Sequence, residues 1–160
     1  MKKVFLGGIC NENKWRDKII KLLDISPLSY FDPVVKKWDK QAQNRELVER
    51  RICEFCLYAI TPKMTGVHDI AEVIDDSNKR PEKTILILLE ADEGLEFSRG
   101  QWKSVQAVAN MVTLNGGKVF YSLDEAVIWM ESTLSMSSTK KTGFFETIQN
   151  AVDDFIHAVK

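Results

Sequence analysis

The sequence is short of several features that would place it in large classes of proteins. Its 160 residues include three cysteines, and an odd, small number fits a reduced cytoplasmic compartment better than a disulfide framework. No apolar run is long enough to span a membrane. The apolar stretch near the amino terminus ends at Asn11–Lys14, too early for a signal peptide. We therefore expect a cytoplasmic protein with no membrane partner.

Charge of one sign is also lacking. The 22 basic and 23 acidic side chains nearly cancel, whereas a protein that grips nucleic-acid backbone carries a basic surface. Neither a G-x-G-x-x-G dinucleotide motif nor a Walker-type phosphate loop is present. These absences argue against a nucleic acid polymer as partner and leave a nucleotide-sized ligand as a candidate.

Cys53 and Cys56 form a lone C-x-x-C pair. A zinc site would need further ligands such as Cys10 and His68, and nothing in the sequence places those residues nearby. Buried structural thiols are the favoured interpretation. We expect neither a metal nor an organic cofactor.

What the chain does have is a regular alternation of apolar strands and amphipathic helices. The pattern predicts strands at 4–6, 28–31, 55–61, 84–90 and 118–121, with helices at 15–23, 44–54, 66–76 and 98–114 and from 122. This alternation predicts an α/β fold, a three-layer, doubly wound sheet of five parallel strands in the flavodoxin-like order 2-1-3-4-5. We expect this domain to cover residues 1–134.

The composition changes after Leu134. Residues 135–142 form a Ser/Thr/Lys-rich linker, and residues 143–160 predict an extra C-terminal amphipathic helix with an apolar stripe of Phe145, Ile148, Val152, Phe155 and Val159. A single helix of this length is marginal in water. It should therefore pack on its own domain or on another subunit.

The segment from Thr61 to Lys83 concentrates polar chemistry where a strand passes into a helix. In open α/β folds that edge of the sheet binds ligands. The apolar positions of the helix turn Glu72 away from the sheet, into a group with His68, Asp69, Asp75 and Asp76. Crowded carboxylates have separated pKa values, which can supply both an acid and a nucleophile. The alternative is a solvated acidic helix face.

Three other features have both a functional and a structural interpretation. Gly7 and Gly8 after the first strand either admit a ligand close to the backbone or form a tight turn. The loop Ser77–Pro81 either binds an anion or a subunit, or only complements the negative end of the helix. The four tryptophans are core residues or pocket walls; they are Trp15, Trp38, Trp102 and Trp129.

With Phe5–Gly8, Tyr30–Val35 and Thr61–Val73 taken together, the chain resembles the nucleoside 2-deoxyribosyltransferase-like family over roughly residues 2–134. The resemblance implies that Glu72 attacks the anomeric carbon of a deoxyribose, that a glycosyl-enzyme intermediate forms, and that a second base or water takes the sugar. Met64-Thr65 stands where the family's best characterised enzymes carry an aspartate, so Asp75 or Asp69 is the candidate acid.

Candidate substrate-binding residues lie in and beside the same segments; they are Gly7, Gly8, Asn11, Trp15, Asp32, Thr65, Gly66 and Asn78. The first hypothesis is an enzyme that cleaves or exchanges the N-glycosidic bond of a nucleoside or nucleotide. The second is a non-catalytic binding or sensing module that retains the pocket. The resemblance also implies a homo-oligomer whose subunits lend residues to each other's sites.

Overall fold

The structure is a computed structural model that describes residues 2–8 and 14–136. Its strands are β1 (Lys3–Gly8), β2 (Ser29–Phe31), β3 (Phe55–Ile60), β4 (Thr84–Leu88), β5 (Ala91–Asp92), β6 (Leu95–Glu96) and β7 (Lys118–Phe120). Its helices are α1 (Trp15–Asp24), α2 (Lys40–Ile52), α3 (His68–Lys79), α4 (Arg99–Leu114) and α5 (123–136), with a short 3₁₀ turn at Pro81–Lys83.

The chain divides into two units, residues 1–127 and 128–160. The first holds the sheet and helices α1 to α4. Of the second, the structure describes residues 128–136, which are the end of α5. The predicted helix at 143–160 and all but two residues of the predicted linker lie outside the described residues.

The main sheet has five parallel strands in the order β2-β1-β3-β4-β7. Counted among the strands of this sheet, that order is 2-1-3-4-5, so the predicted flavodoxin-like topology is confirmed. Strand β3 is buried along its whole length, as is β4, because both faces of a parallel sheet are covered. On one face, α3 and α4 contribute Val73, Val105 and Val112 to a core cluster with Tyr58 and Leu86.

Helix boundaries differ from the prediction where capping decides them. Helix α2 starts at Lys40 rather than Asn44 because the Asp39 side chain accepts a hydrogen bond from the Ala42 backbone N–H. Helix α3 begins at His68 and continues to Lys79, beyond the predicted end at Asp76. The Ser122 hydroxyl caps α5, accepting from the Glu125 N–H at 3.2 Å.

A small hairpin, β5–β6, was not predicted. Strand β4 ends at Leu88, and the chain then turns through Glu93 (φ 48°) and Gly94 (φ 81°). Two consecutive positive φ values are typical of the tight turn that joins hairpin strands. Ion pairs from Glu93 to Lys14, at 3.0 Å, and to Lys63 attach the hairpin to the loops that follow β1 and β3.

No helix within residues 2–8 and 14–136 is long and apolar enough to cross a bilayer.

Candidate active site

A cavity of about 320 Å³ opens at the carboxyl end of β1. The chain leaves β1 for β2 on one side and leaves the neighbouring β3 for β4 on the other, so the cavity lies at the switch point where open α/β sheets bind ligands. It is lined by Gly7, Gly8, Pro33, Val34, Val35, Trp38, Glu46, His68, Asp69 and Glu72. The lining therefore combines four large apolar or proline side chains with three carboxyl groups.

Glu72 presents one engaged and one unengaged oxygen. Its Oε1 accepts a hydrogen bond from Arg50 Nη1 at 2.7 Å, and His68 Nε2 lies 3.6 Å from the same oxygen. Among the described residues, Oε2 has no hydrogen-bond partner. The side chain is 11% exposed. Glu72 thus offers the cavity an oxygen able to act as a nucleophile.

Asp69 lies one turn before Glu72, and 8% of its surface is exposed. Burial and the neighbouring charge of Glu72 raise its pKa to about 6. Its Oδ2 atom is buried and has no hydrogen-bond partner within the described part of the chain. A carboxyl group with such a pKa can hold a proton near neutrality and donate it to a leaving group.

Glu46 and Arg50 were missed by the sequence analysis. Glu46 lines the cavity from α2, and burial together with the charge of Glu72 raises its pKa. Arg50, the one buried residue of α2, contacts Glu72. The charge density of residues 44–54 predicts a helix but does not show which of its charges are buried. The i, i+4 spacing of these two residues, which places them on one face, was the available signal.

The last turns of α3 do not reach the cavity. Asp75 is absent from the described lining; its side chain is 49% exposed and pairs with Lys79 at 2.7 Å. Asp76 is fully buried. Although burial alone would raise the pKa of Asp76, hydrogen bonds from Arg50, Tyr58 and Arg80 lower it below the usual value. The group predicted from the sequence is therefore split between two environments.

Gly7 and Gly8 line the cavity through their backbone, but the space beside each α-carbon is occupied by protein. A Cβ at Gly7 would lie 2.4 Å from Tyr58 Cε1. A Cβ at Gly8, where φ is +115°, would lie 3.0 Å from Trp15 Cζ2. Packing at Gly7 and the positive φ at Gly8 are thus each sufficient reason for glycine, and the predicted approach of a ligand stays a prediction.

The other predicted binding residues have separate positions. Trp15 is buried beside Gly8. Asp32 precedes the lining residue Pro33 and lies 3.3 Å from Arg16 Nε. Thr65 and Gly66 are exposed in the loop before α3, and the Asn78 side chain donates to the Ile74 carbonyl. These last three do not line the cavity as the described residues form it. Asn11 lies outside the described residues.

Cys53 and Cys56 are buried, as the structural interpretation predicts. Burial raises the pKa of the Cys53 thiol to about 11 and that of the Cys56 thiol to about 12. Neither thiol is poised for nucleophilic chemistry. Within the described residues, no group of three or more His, Cys, Asp or Glu side chains is arranged to hold a metal ion.

Comparison with family models gives a match over residues 1–79 to the family described as nucleoside 2-deoxyribosyltransferase like. A comparison with curated proteins gives no match. The matched segment runs from β1 to the end of α3 and contains every residue that lines the cavity. The resemblance that the motifs predicted, to the nucleoside 2-deoxyribosyltransferase-like family, is thus confirmed over residues 1–79.

Proposed function

We propose that the protein cleaves or exchanges the N-glycosidic bond of a nucleoside or nucleotide, with Glu72 as nucleophile and Asp69 as general acid. The observation that carries the proposal is the pairing of these two residues in one cavity. Glu72 has an unengaged oxygen, and the adjacent Asp69 has a pKa raised to about 6. The family match over residues 1–79 suggests the substrate class.

The cavity suits such a substrate in size and in the chemistry of its lining. Its volume of about 320 Å³ lies in the range of about 300–1,000 Å³ typical of small-molecule sites. Trp38, Val34 and Val35 provide an apolar wall for the faces of a nucleobase. The carboxyl groups of the lining can accept hydrogen bonds from sugar hydroxyls.

The reaction takes two displacements at the anomeric carbon. Glu72 Oε2 forms a bond to that carbon as the C–N bond breaks, and the base nitrogen keeps the electron pair and takes the proton of Asp69. A second base or water then attacks the same carbon and gives its proton to the Asp69 carboxylate, while the Glu72 carboxylate leaves. Two inversions retain the configuration of the sugar, as in retaining glycosidases.

Exposure and position favour Asp69 over Asp75 as the general acid. Asp69 is 8% exposed and lines the cavity. Asp75 is half exposed, its carboxylate is paired with Lys79, and it is absent from the described cavity lining.

The test is an exchange assay. The protein is incubated with a panel of deoxynucleosides and their 5′-monophosphates plus a free base, and products are separated chromatographically. New nucleoside, or free sugar, should form with wild type and with Asp75→Asn, and should be lost in Glu72→Gln. Mass spectrometry of denatured reactions should show a glycosyl adduct on the peptide that contains Glu72. Binding without turnover would contradict the enzymatic proposal and support a binding module.

We also propose that the protein works as a homo-oligomer in the cytoplasm. Large apolar side chains are exposed along the segment after β2 and on α2, including Trp38 (57%), Val48 (55%) and Ile52 (64%). These residues are close together in the sequence, between positions 38 and 52, and an apolar patch formed by such residues is typical of interaction sites. Sedimentation of the full chain and of a chain truncated after Leu134 measures the assembly; a full chain that sediments as a monomer contradicts it.

A further inference from the structure

We infer that Arg50 is a positioning residue, which fixes the Glu72 carboxylate so that one oxygen is held and the other is left for the reacting carbon. The inference rests on the proposed function of Glu72. Arg50 does not itself line the cavity within the described part of the chain. The proposed site therefore gains Arg50 and the buried group behind it. We call this group the Arg50 network; its members are Arg50, Asp76, Tyr58 and Arg80.

Arg50 holds Glu72 at two points. Its Nη1 donates to Glu72 Oε1 at 2.7 Å, and its Nη2 donates to the Glu72 backbone carbonyl at 3.1 Å. The first contact fixes the side chain, and the second fixes the turn of α3 that carries it. Charge-assisted hydrogen bonds of this kind are among the stronger ones in proteins.

Arg50 is itself held from behind. Asp76 accepts from Nε at 2.9 Å through Oδ2 and from Nη2 at 2.8 Å through Oδ1, the two-point geometry in which a guanidinium and a carboxylate fit best. Tyr58 Oη donates to Asp76 Oδ2 at 2.6 Å, and Arg80 pairs with Oδ1. Asp76 and Tyr58 are fully buried. Their packing fixes the Arg50 network, and through it Glu72.

The geometry requires arginine. Three nitrogens of one rigid plane serve four hydrogen bonds, two to Asp76 and two to Glu72. A lysine carries one nitrogen at the end of a flexible stem, so it cannot keep both carboxylates in register. The network also joins α2, β3 and α3, because Arg50, Tyr58 and Asp76 come from those three elements.

The matched variants are Arg50→Lys and Arg51→Lys. Arg51 is the next residue of α2, is exposed, and has no hydrogen bond or ion pair in the described structure. We expect Arg50→Lys to lower kcat by about 100-fold, since a small misplacement of a reacting group costs about that much. KM should stay within about threefold, because the cavity lining is unchanged. Arg51→Lys should match wild type in both.

A second variant, Asp76→Asn, leaves Arg50 in place and removes the carboxylate that anchors it. It should lower kcat by about tenfold, again with KM little changed. Crystal structures of Arg50→Lys and Asp76→Asn should show the Glu72 side chain in a changed or a divided rotamer. This last measurement needs no activity, so it tests the inference even if no nucleoside is turned over.

The two proposals fail in different ways. Wild type inactive on the whole panel overturns the proposed function. Glu72 in its original single rotamer in both folded variants, or kcat lowered no more than KM is raised, overturns the positioning role of Arg50. If one of the two variants does not fold, the other is sufficient for the test, because the Glu72 rotamer is measured in both.

Discussion

The two ends of helix α3 carry the same kind of side chain in opposite environments. Near its start, Asp69 and Glu72 line the cavity, and each has a carboxylate oxygen without a hydrogen-bond partner among the described residues. One to two turns later, Asp76 is fully buried and accepts from three side chains. The first pair therefore keeps unused hydrogen-bonding capacity, and both carboxylate oxygens of the last residue accept hydrogen bonds.

Burial alone therefore does not identify a reactive carboxyl group. Asp69 and Asp76 are both buried, yet burial raises the pKa of the first to about 6, while hydrogen bonds overcome burial and lower the pKa of the second. The partners decide which form is stable. Reactive groups are those whose hydrogen-bonding capacity the fold leaves partly unused.

Glu72→Gln should have the largest effect on turnover. If Glu72 is the nucleophile, turnover should fall by at least about 1,000-fold, because an amide cannot form the glycosyl ester. The melting temperature should change little, since Gln keeps the shape and can still accept from Arg50. Steady-state kinetics and a thermal melt measure both. Near-normal turnover would remove the nucleophile assignment.

Asp76→Ala should show the opposite pattern. Removing this carboxylate leaves Arg50 buried without its anchor and Tyr58 without its acceptor. Breaking a buried ion pair in this way typically lowers the free energy of unfolding by about 3 kcal/mol. Urea denaturation at pH 7 measures the loss. A variant as stable as wild type would show that the two ends of α3 do not differ as described.

Asp69→Asn should stabilise the fold while lowering turnover. A carboxyl group whose pKa is raised in the folded state loses its proton more easily in the unfolded state. It therefore destabilises the folded state increasingly between about pH 4 and pH 6, and by a constant amount above pH 6. Removing it should raise the free energy of unfolding at pH 7.5 by about 3 kcal/mol, the equivalent of moving its pKa from 3.8 to about 6. Below pH 4 the two proteins should have similar stabilities. A destabilised variant at pH 7.5 would contradict this account.

The pH dependence of turnover tests the same group in the intact protein. As the general acid, Asp69 must be protonated, so kcat/KM should fall as pH rises through its pKa of about 6. The fall should approach about tenfold per pH unit on the alkaline side. Asp75→Asn should keep this limb. A profile that is flat from pH 5.5 to pH 8 would exclude Asp69 as the acid.

Asp75→Asn is the smallest change expected. Its carboxylate is half exposed, pairs with Lys79 four residues away, and lies 3.9 Å from Arg50. Exposed pairs at this spacing contribute about 0.5 kcal/mol or less. Stability and turnover should therefore remain close to those of wild type. A large loss of turnover would make Asp75 the acid and reverse the assignment of the two aspartates.

Much of this molecule could be predicted from the sequence. Buried parallel strands such as β3 and β4 are continuous apolar runs, and their alternation with helices fixes the fold class. The turn that brings Asp69 and Glu72 together is a local helical spacing, which a sequence also shows. The order of the sheet followed from the usual preference of doubly wound folds of this size.

The features that the sequence did not predict depend on contacts between residues that are far apart in the sequence. Arg50 meets Asp76 across 26 residues of sequence, and no local pattern reveals which of the charges on α2 is buried. The hairpin β5–β6 depends on the turn at Glu93-Gly94, where a charged residue adopts a positive φ. The reason for Gly7 lies in Tyr58 of a neighbouring strand, which is a fact of register rather than of composition.

Helix α2 is attached to the sheet in an unusual way. Its one buried residue is a charged one, Arg50, and its apolar residues Leu47, Val48 and Ile52 are exposed. Little of its hydrophobic surface therefore opposes detachment, and its amide protons should exchange through a local opening that leaves β3 intact. Such an opening would carry away Glu46 and the anchor of Glu72 together.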